Sequence, residues 1–198
     1  MMNTKSASHA LKSPAGAASS HAVRRLAKGE QALDKGDYAE STVQAKRVLS
    51  ADPNHLGALE LLARSHWRSG AYETCVDVLR HLIRLNPYEP GYHFLRAGAM
   101  QALGHYGEAV RSYSRCLVSE SETLRTSAAA AIRDLERWQE DVIAELIRSD
   151  RKFSAEYALE PVEACRRRGF AFAAEDVAAS VQLAVTRELA VAVCDRPS

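Results

Sequence analysis

The 198-residue sequence holds no run of about 18 consecutive apolar residues, so no membrane-spanning helix is expected. Its N-terminus also lacks the apolar stretch of about 7–15 residues that a secretory signal needs. Cysteine is sparse: Cys75, Cys116, Cys165 and Cys194 lie far apart with no C-x-x-C pair. That excludes a disulfide framework and reads as small buried thiols in a reducing, cytoplasmic compartment. Seven histidines are present, but none stands at the H-x-x-x-H spacing of a metal-binding helix, so no metal site is expected. Nucleophile elbow, phosphate loop and dinucleotide fingerprint are all missing, so no cofactor and no catalysis are expected. A formal net charge of +1 gives no global attraction to nucleic acid or to an anionic membrane.

Charge is unevenly spread. Residues 1–29 carry five bases and no acid, residues 30–119 are balanced, and residues 120–198 carry eleven bases against fifteen acids. Residues 1–21 lack periodicity and read as a disordered, basic Ser/Ala-rich arm. The same composition also loosely fits an organelle-targeting segment. Adjacent acids such as Glu140 and Asp141, or Glu175 and Asp176, point in different directions on a helix and read as solvated. Arg166, Arg167 and Arg168 sit at a predicted helix C-terminus, where positive charge opposes the helix dipole.

What the chain does have is a period. Gly36 and Tyr38 recur as Gly70 and Tyr72 and again as Gly104 and Tyr106, each step being 34 residues. Asp52-Pro53 recurs as Asn86-Pro87 at the same step. A fixed period of this length predicts stacked helical hairpins. Glycine ends the first helix of each pair, and proline or a short turn follows the second. The pattern predicts helices over 22–35 and 38–51, 56–69 and 72–85, 90–103 and 106–119. Cys75, Val78, Leu79 and Leu82 share one face, as do Ala109, Val110, Tyr113, Cys116 and Leu117.

Beyond the hairpins, a long helix is predicted over 122–148. Its apolar stripe is Ala128, Ala131, Leu135, Trp138, Val142 and Leu146. Residues 150–198 form a small module: a short helix capped by Asp150, a second from Pro161 to Gly169, an extended link with Phe170 and Phe172, and a last helix over about 175–193.

The stretches GDYAEST, VLSADPNH, GAYETCVDVLRHLIRLNPYEP and GHYGEAVRSYSRCL resemble tetratricopeptide repeats. The resemblance covers about 22–119. It implies an all-α, right-handed solenoid of three hairpins, 22–55, 56–89 and 90–121, followed by a capping helix over 122–149 and the module 150–198. It also implies a concave groove lined by the first helix of each hairpin, which binds an extended peptide or helix of a partner protein. The implied groove residues are Leu26, Glu30 and Leu33 in the first repeat, Glu60, Arg64, Trp67 and Arg68 in the second, and Phe94 and Gln101 in the third. Arg64, Trp67 and Arg68 lie within one turn of each other, a patch suited to an acidic, partly apolar segment. Departures from the family pattern are Arg25, Lys28 and His93 in slots usually filled by bulky residues. Glu30 and Arg64 stand where the carboxylate clamp of chaperone-binding members would need asparagine, so chaperone C-termini are not expected as ligands. Residues 150–176 are similar to the leader helices of Nif11-type and nitrile-hydratase-type peptides in their D-x-x-F, P-x-x-A and GF-x-x-x-x-ED spacing.

The sequence thus points to a non-catalytic adaptor or scaffold, whose C-terminal module adds either a second partner contact or self-association. A dedicated chaperone for a secreted or assembling partner is the second class, and an accessory protein in peptide modification the third.

Overall fold

The computed structural model describes residues 14–173, and within them the chain forms nine α-helices and no strand. The last helix expected near 175–193, Cys194 and residues 1–13 lie outside the described residues. Two compact units, Met1–Ala71 and Tyr72–Ser198, divide the chain between the third and fourth helices.

Unit 1 contains α1 (Pro14–Asp34), α2 (Tyr38–Leu49) and α3 (Leu56–Arg68). α1 begins eight residues before the expected start at Ala22, inside the segment read as a disordered arm. Pro14 opens it, where the missing N–H costs nothing and the fixed φ suits the first turn. Gly36 ends α1 at φ 80°. Across it, the Asp37 amide donates to the Ala32 carbonyl at 2.9 Å, closing the left-handed cap. Asp37 then caps α2, its carboxylate accepting from the Glu40 amide at 3.0 Å. The core is Leu33, Ala45, Val48, Leu59, Leu61 and Leu62, all buried. Gly29 lets α1 approach closely: a Cβ there would stand 2.5 Å from the Leu61 side chain. A buried hydroxyl pair, Ser41 and Ser65 at 2.8 Å, joins α2 to α3. Ser65 donates onward to the Leu61 carbonyl, which leaves Ser41 as the donor within the pair.

Unit 2 opens with α4 (Tyr72–Leu85), α5 (Pro90–Ala102) and α6 (Tyr106–Ser114). The turn after α5 repeats the first one: Gly104 has φ 79°, and the His105 amide reaches the Met100 carbonyl at 2.9 Å. α6 stops at Ser114, five residues short of its expected end. Tight turns follow, and the Arg125 guanidinium takes the Ser119 and Glu120 carbonyls at 2.6 and 3.0 Å, so these no longer extend a helix. α5 and α6 are tied by Arg96, which donates to Ser112 at 2.7 Å and to Glu108 at 3.1 Å.

The long helix is α7 (Glu122–Ser149), capped by the Ser121 hydroxyl. Its buried line is Ala128, Ile132, Leu135, Gln139 and Ile143. The apolar stripe read from the sequence is therefore shifted. Trp138 is 41% exposed and instead meets the Tyr106 ring at a tilt of 46°, ring centroids 4.0 Å apart. α8 (Arg151–Leu159) and α9 (Pro161–Arg167) fold back on α7 around Ile143, Phe153, Tyr157, Ala164 and Cys165. Asp150 secures the corner, one oxygen accepting from the Phe153 amide at 3.0 Å and the other from Arg168 at 2.6 Å. These bonds hold its carboxyl below the ordinary value, the backbone bond first and Arg168 next. Gly169, at φ 85°, repeats the glycine cap, and an extended segment, Phe170–Ala173, leaves it.

Candidate functional site

The predicted groove residues separate into three groups. In unit 1, Glu30 on α1 and Arg64 on α3 form a two-pronged ion pair, with N–O distances of 2.9 and 2.5 Å. One repeat of 34 residues separates them in sequence, so the pair joins equivalent turns of successive first helices. Both side chains are about half exposed, so the pair orients the two heads more than it stabilises the fold. Arg68 lies over the Tyr38 ring, 5.6 Å from its centroid, which fixes its head by a cation–π contact. Trp67 and Glu60 are half-buried on the same helix, and both are engaged within the protein. Leu26 sits near the start of α3: a Cβ on Gly57 would be 3.6 Å from its methyl carbon.

Leu33 belongs to a different group. It is fully buried and is a core residue, supporting the face from below instead of lining it. At its place on α1 the side chain turns into the packing with α2 and α3.

Phe94 and Gln101, in unit 2, are both taken up by one residue of α6. Phe94 meets the Tyr113 ring edge-on at 5.2 Å, and the Tyr113 hydroxyl donates to the Gln101 side-chain oxygen at 3.3 Å. His93, the other polar departure on α5, is buried and bonds through Nε2 to the Pro87 carbonyl at 2.9 Å. It is a core histidine of the α4–α5 corner.

Sequence reading missed a second constellation, again in unit 2. Gln139 of α7 is fully buried, and its amide pairs with both backbone groups of Ala171. Its Nε2 donates to the Ala171 carbonyl and its Oε1 accepts from the Ala171 amide, each at 2.9 Å. Glu136, one turn earlier, accepts from the Ala173 amide at 2.8 Å. On the α6 side, a Cβ built on Gly107 would stand 2.3 Å from the Gly169 carbonyl oxygen. The extended segment is thus held in a slot between α6 and α7. The only trace in the sequence is Gly107 itself, which stands where the earlier repeats have Ala39 and Glu73.

Among the described residues, no group of three or more His, Cys, Asp and Glu could hold a metal ion. No described helix is long and apolar enough to cross a membrane. Burial pushes the Cys75, Cys116 and Cys165 thiols up to about 11, which makes them poor nucleophiles near neutral pH.

Paired helices of fixed period, ended by the same glycine cap and presenting charged and aromatic side chains on first-helix faces, define a helical-repeat binding scaffold. Known proteins narrow the class. The model of the family described as anaphase-promoting complex, cyclosome, subunit 3 matches residues 34–116. Tetratricopeptide repeat protein 21A of Mus musculus is 29% identical over 108 residues, which is 51% of this chain and 8% of that protein. The chain therefore spans less than a tenth of that relative's length. Among solved structures, the NMR structure of the first TPR domain of the human RPAP3 protein matches with a TM-score of 0.51 at 20% identity, covering 59% of this chain and 96% of that one. The crystal structure of MamA protein matches at 0.54 and 16% identity, covering 91% and 98%. These two likenesses concern the fold alone. The likeness to tetratricopeptide repeats is thus borne out over the hairpins, and the fold is that of tetratricopeptide-repeat solenoids, which in general bind other proteins.

Proposed function

We propose that the chain is a non-catalytic adaptor that docks a segment of a partner protein on the α1–α3 face of unit 1. The observation that carries this reading is the set of immobilised heads on that face. Glu30 orients Arg64, Tyr38 holds Arg68, and Trp67 lies between the two arginines on α3. Arginine and tryptophan whose rotamers are already fixed lose less entropy on binding, which is why such residues dominate binding energies. Glu30 offsets the charge of Arg64. A carboxylate on an acidic, partly apolar partner would meet Arg68 and share Arg64 with Glu30.

The test is affinity capture with the full chain and with an Arg64→Glu/Trp67→Ala variant, after circular dichroism has shown equal helicity. A partner captured by the native chain and lost by the variant supports the face as the docking site. A partner retained by both places recognition elsewhere and overturns this reading.

A further inference from the structure

The way unit 2 holds Phe170–Ala173 is the way a receptor holds a peptide. Gln139 bonds to the main chain of Ala171, donating to its carbonyl and accepting from its amide. Glu136 accepts from the main chain of Ala173. None of the three bonds selects a side chain, so the slot reads extended backbone. Selectivity comes from space. Gly107 lets the Gly169 carbonyl come close, and the Ala171 methyl lies against the same bare backbone, where a Cβ on Gly107 would stand 3.2 Å from it, so this position suits a small residue. On either side of it, Phe170 and Phe172 pack against the core around Ile143 and Phe153.

The chain's own segment does not fill the whole site. Where the segment enters, a cavity of about 430 Å³ remains open, walled by Tyr106, Arg111, Trp138, Val142 and Phe170. The Tyr106 and Trp138 rings, in tilted contact, form its apolar wall. Gly169, which borders this cavity, places no side chain in it.

We propose that the slot between α6 and α7 is a binding site for extended peptide, closed in cis by Phe170–Ala173, and that a partner segment enters by displacing it. The partner segment has a small residue at the Ala171 position and a large apolar residue two positions earlier, which fills the cavity the cis segment leaves open. The cis segment competes at a local concentration in the millimolar range, as for any short tether, so a free peptide of the same sequence competes poorly. The extra side chain is what lets a partner win. This site lies within unit 2 and stands independently of the α1–α3 face.

Four fluorescent peptides test this by anisotropy: Arg-Gly-Phe-Ala-Phe-Ala, its Gly169→Trp form, and each of these N-methylated at the residue matching Ala171. They are titrated against the full chain, against Phe170→Ser/Phe172→Ser, and against Ala171→Pro. The two variants loosen the cis segment by different routes, one through its aromatic anchors and one through its amide. Trypsin cleavage at Arg168 reports whether each has opened. Opened chains are expected to bind the unmodified peptides at least tenfold tighter than the native chain. The tryptophan form should bind tighter than the glycine form, and N-methylation or an added Gln139→Ala should abolish binding. Opened chains that bind no peptide, or that bind the N-methylated forms equally well, overturn the proposal. If neither variant gains cleavage at Arg168, the segment is a fixed part of the fold and the proposal is equally overturned.

Discussion

Gly107→Ala separates two physical effects of opposite sign. Gly107 lies in the first turn of α6, and alanine in place of glycine in a helix stabilises by at most about 1 kcal/mol. From helix propensity alone, the melting temperature should therefore rise. The structure says otherwise, because the new Cβ would stand 2.3 Å from the Gly169 oxygen, whereas real Cβ contacts stay beyond 3.0 Å. Because α7 stands on the other side of the slot, the segment can clear the new Cβ only by lifting out of the slot, by at least the difference. Its 2.9 Å bonds to Gln139 would then stretch to roughly 3.6 Å, where they cease to be hydrogen bonds. Two bonds lost at about 1 kcal/mol each, with a buried amide left unsatisfied, come to about 2 kcal/mol. After the helix gain, the net loss is about 1 kcal/mol, or a fall of about 2–4 °C for a chain of this size. Thermal unfolding by circular dichroism gives the sign, and NMR hydrogen exchange at the Ala171 amide gives the cause. A variant that melts higher and keeps that amide protected would refute the reasoning.

Four further outcomes follow from the same contacts. Gly70→Ala places a Cβ in open space at φ 77°, so its cost is conformational alone, about 1–2 kcal/mol by urea unfolding; no loss would mean the turn relaxes out of the left-handed region. The Tyr157 hydroxyl is buried and has no hydrogen-bond partner among the described residues, and burial pushes its pKa up to about 12. Tyr157→Phe should thus leave stability unchanged or raise it by about 1 kcal/mol, and a loss in chemical denaturation would reveal a bond to that hydroxyl. Glu140 is held above its ordinary 4.5 by burial first and by Glu136 and Asp141 next. Its charged form is disfavoured in the fold, a penalty present at neutral pH that fades as pH falls through the raised value and is gone below the ordinary 4.5. Glu140→Gln should accordingly melt slightly higher than the native chain at pH 7, by a few tenths of a kcal/mol, and equally at pH 4. With three of four thiols buried and raised to about 11, no more than one should react with a thiol reagent at pH 7.5 before denaturation; two or more fast thiols would contradict their burial.

The hairpins were legible because their instructions are local. A left-handed glycine and the tyrosine two residues later are read within one turn of chain, and α2, α4 and α6 all start at that tyrosine. The start of α1 was harder to read, since Pro14 both breaks and begins helices and the residues after it carry no apolar period. Of the candidate face, Arg64, Trp67 and Arg68 could be grouped from spacing along one helix. The partner of Arg64 could not, because Glu30 lies on another helix and nothing along α3 announces it.

Sequence by itself determined the all-helical class, the 34-residue hairpin and the long helix after it, since periodicity and glycine placement act through bonds only a few residues long. Tertiary structure alone decided which polar residues are buried and what they hold. Gln139 reads as a surface residue in a helical pattern, and its place in the core depends on the main chain of Ala171, 32 residues away, arriving to pair with it. A buried amide is tolerated only when both its donor and its acceptor are met, and that condition is set by the packing of α6, α7 and the segment after Gly169, not by any neighbour in the chain.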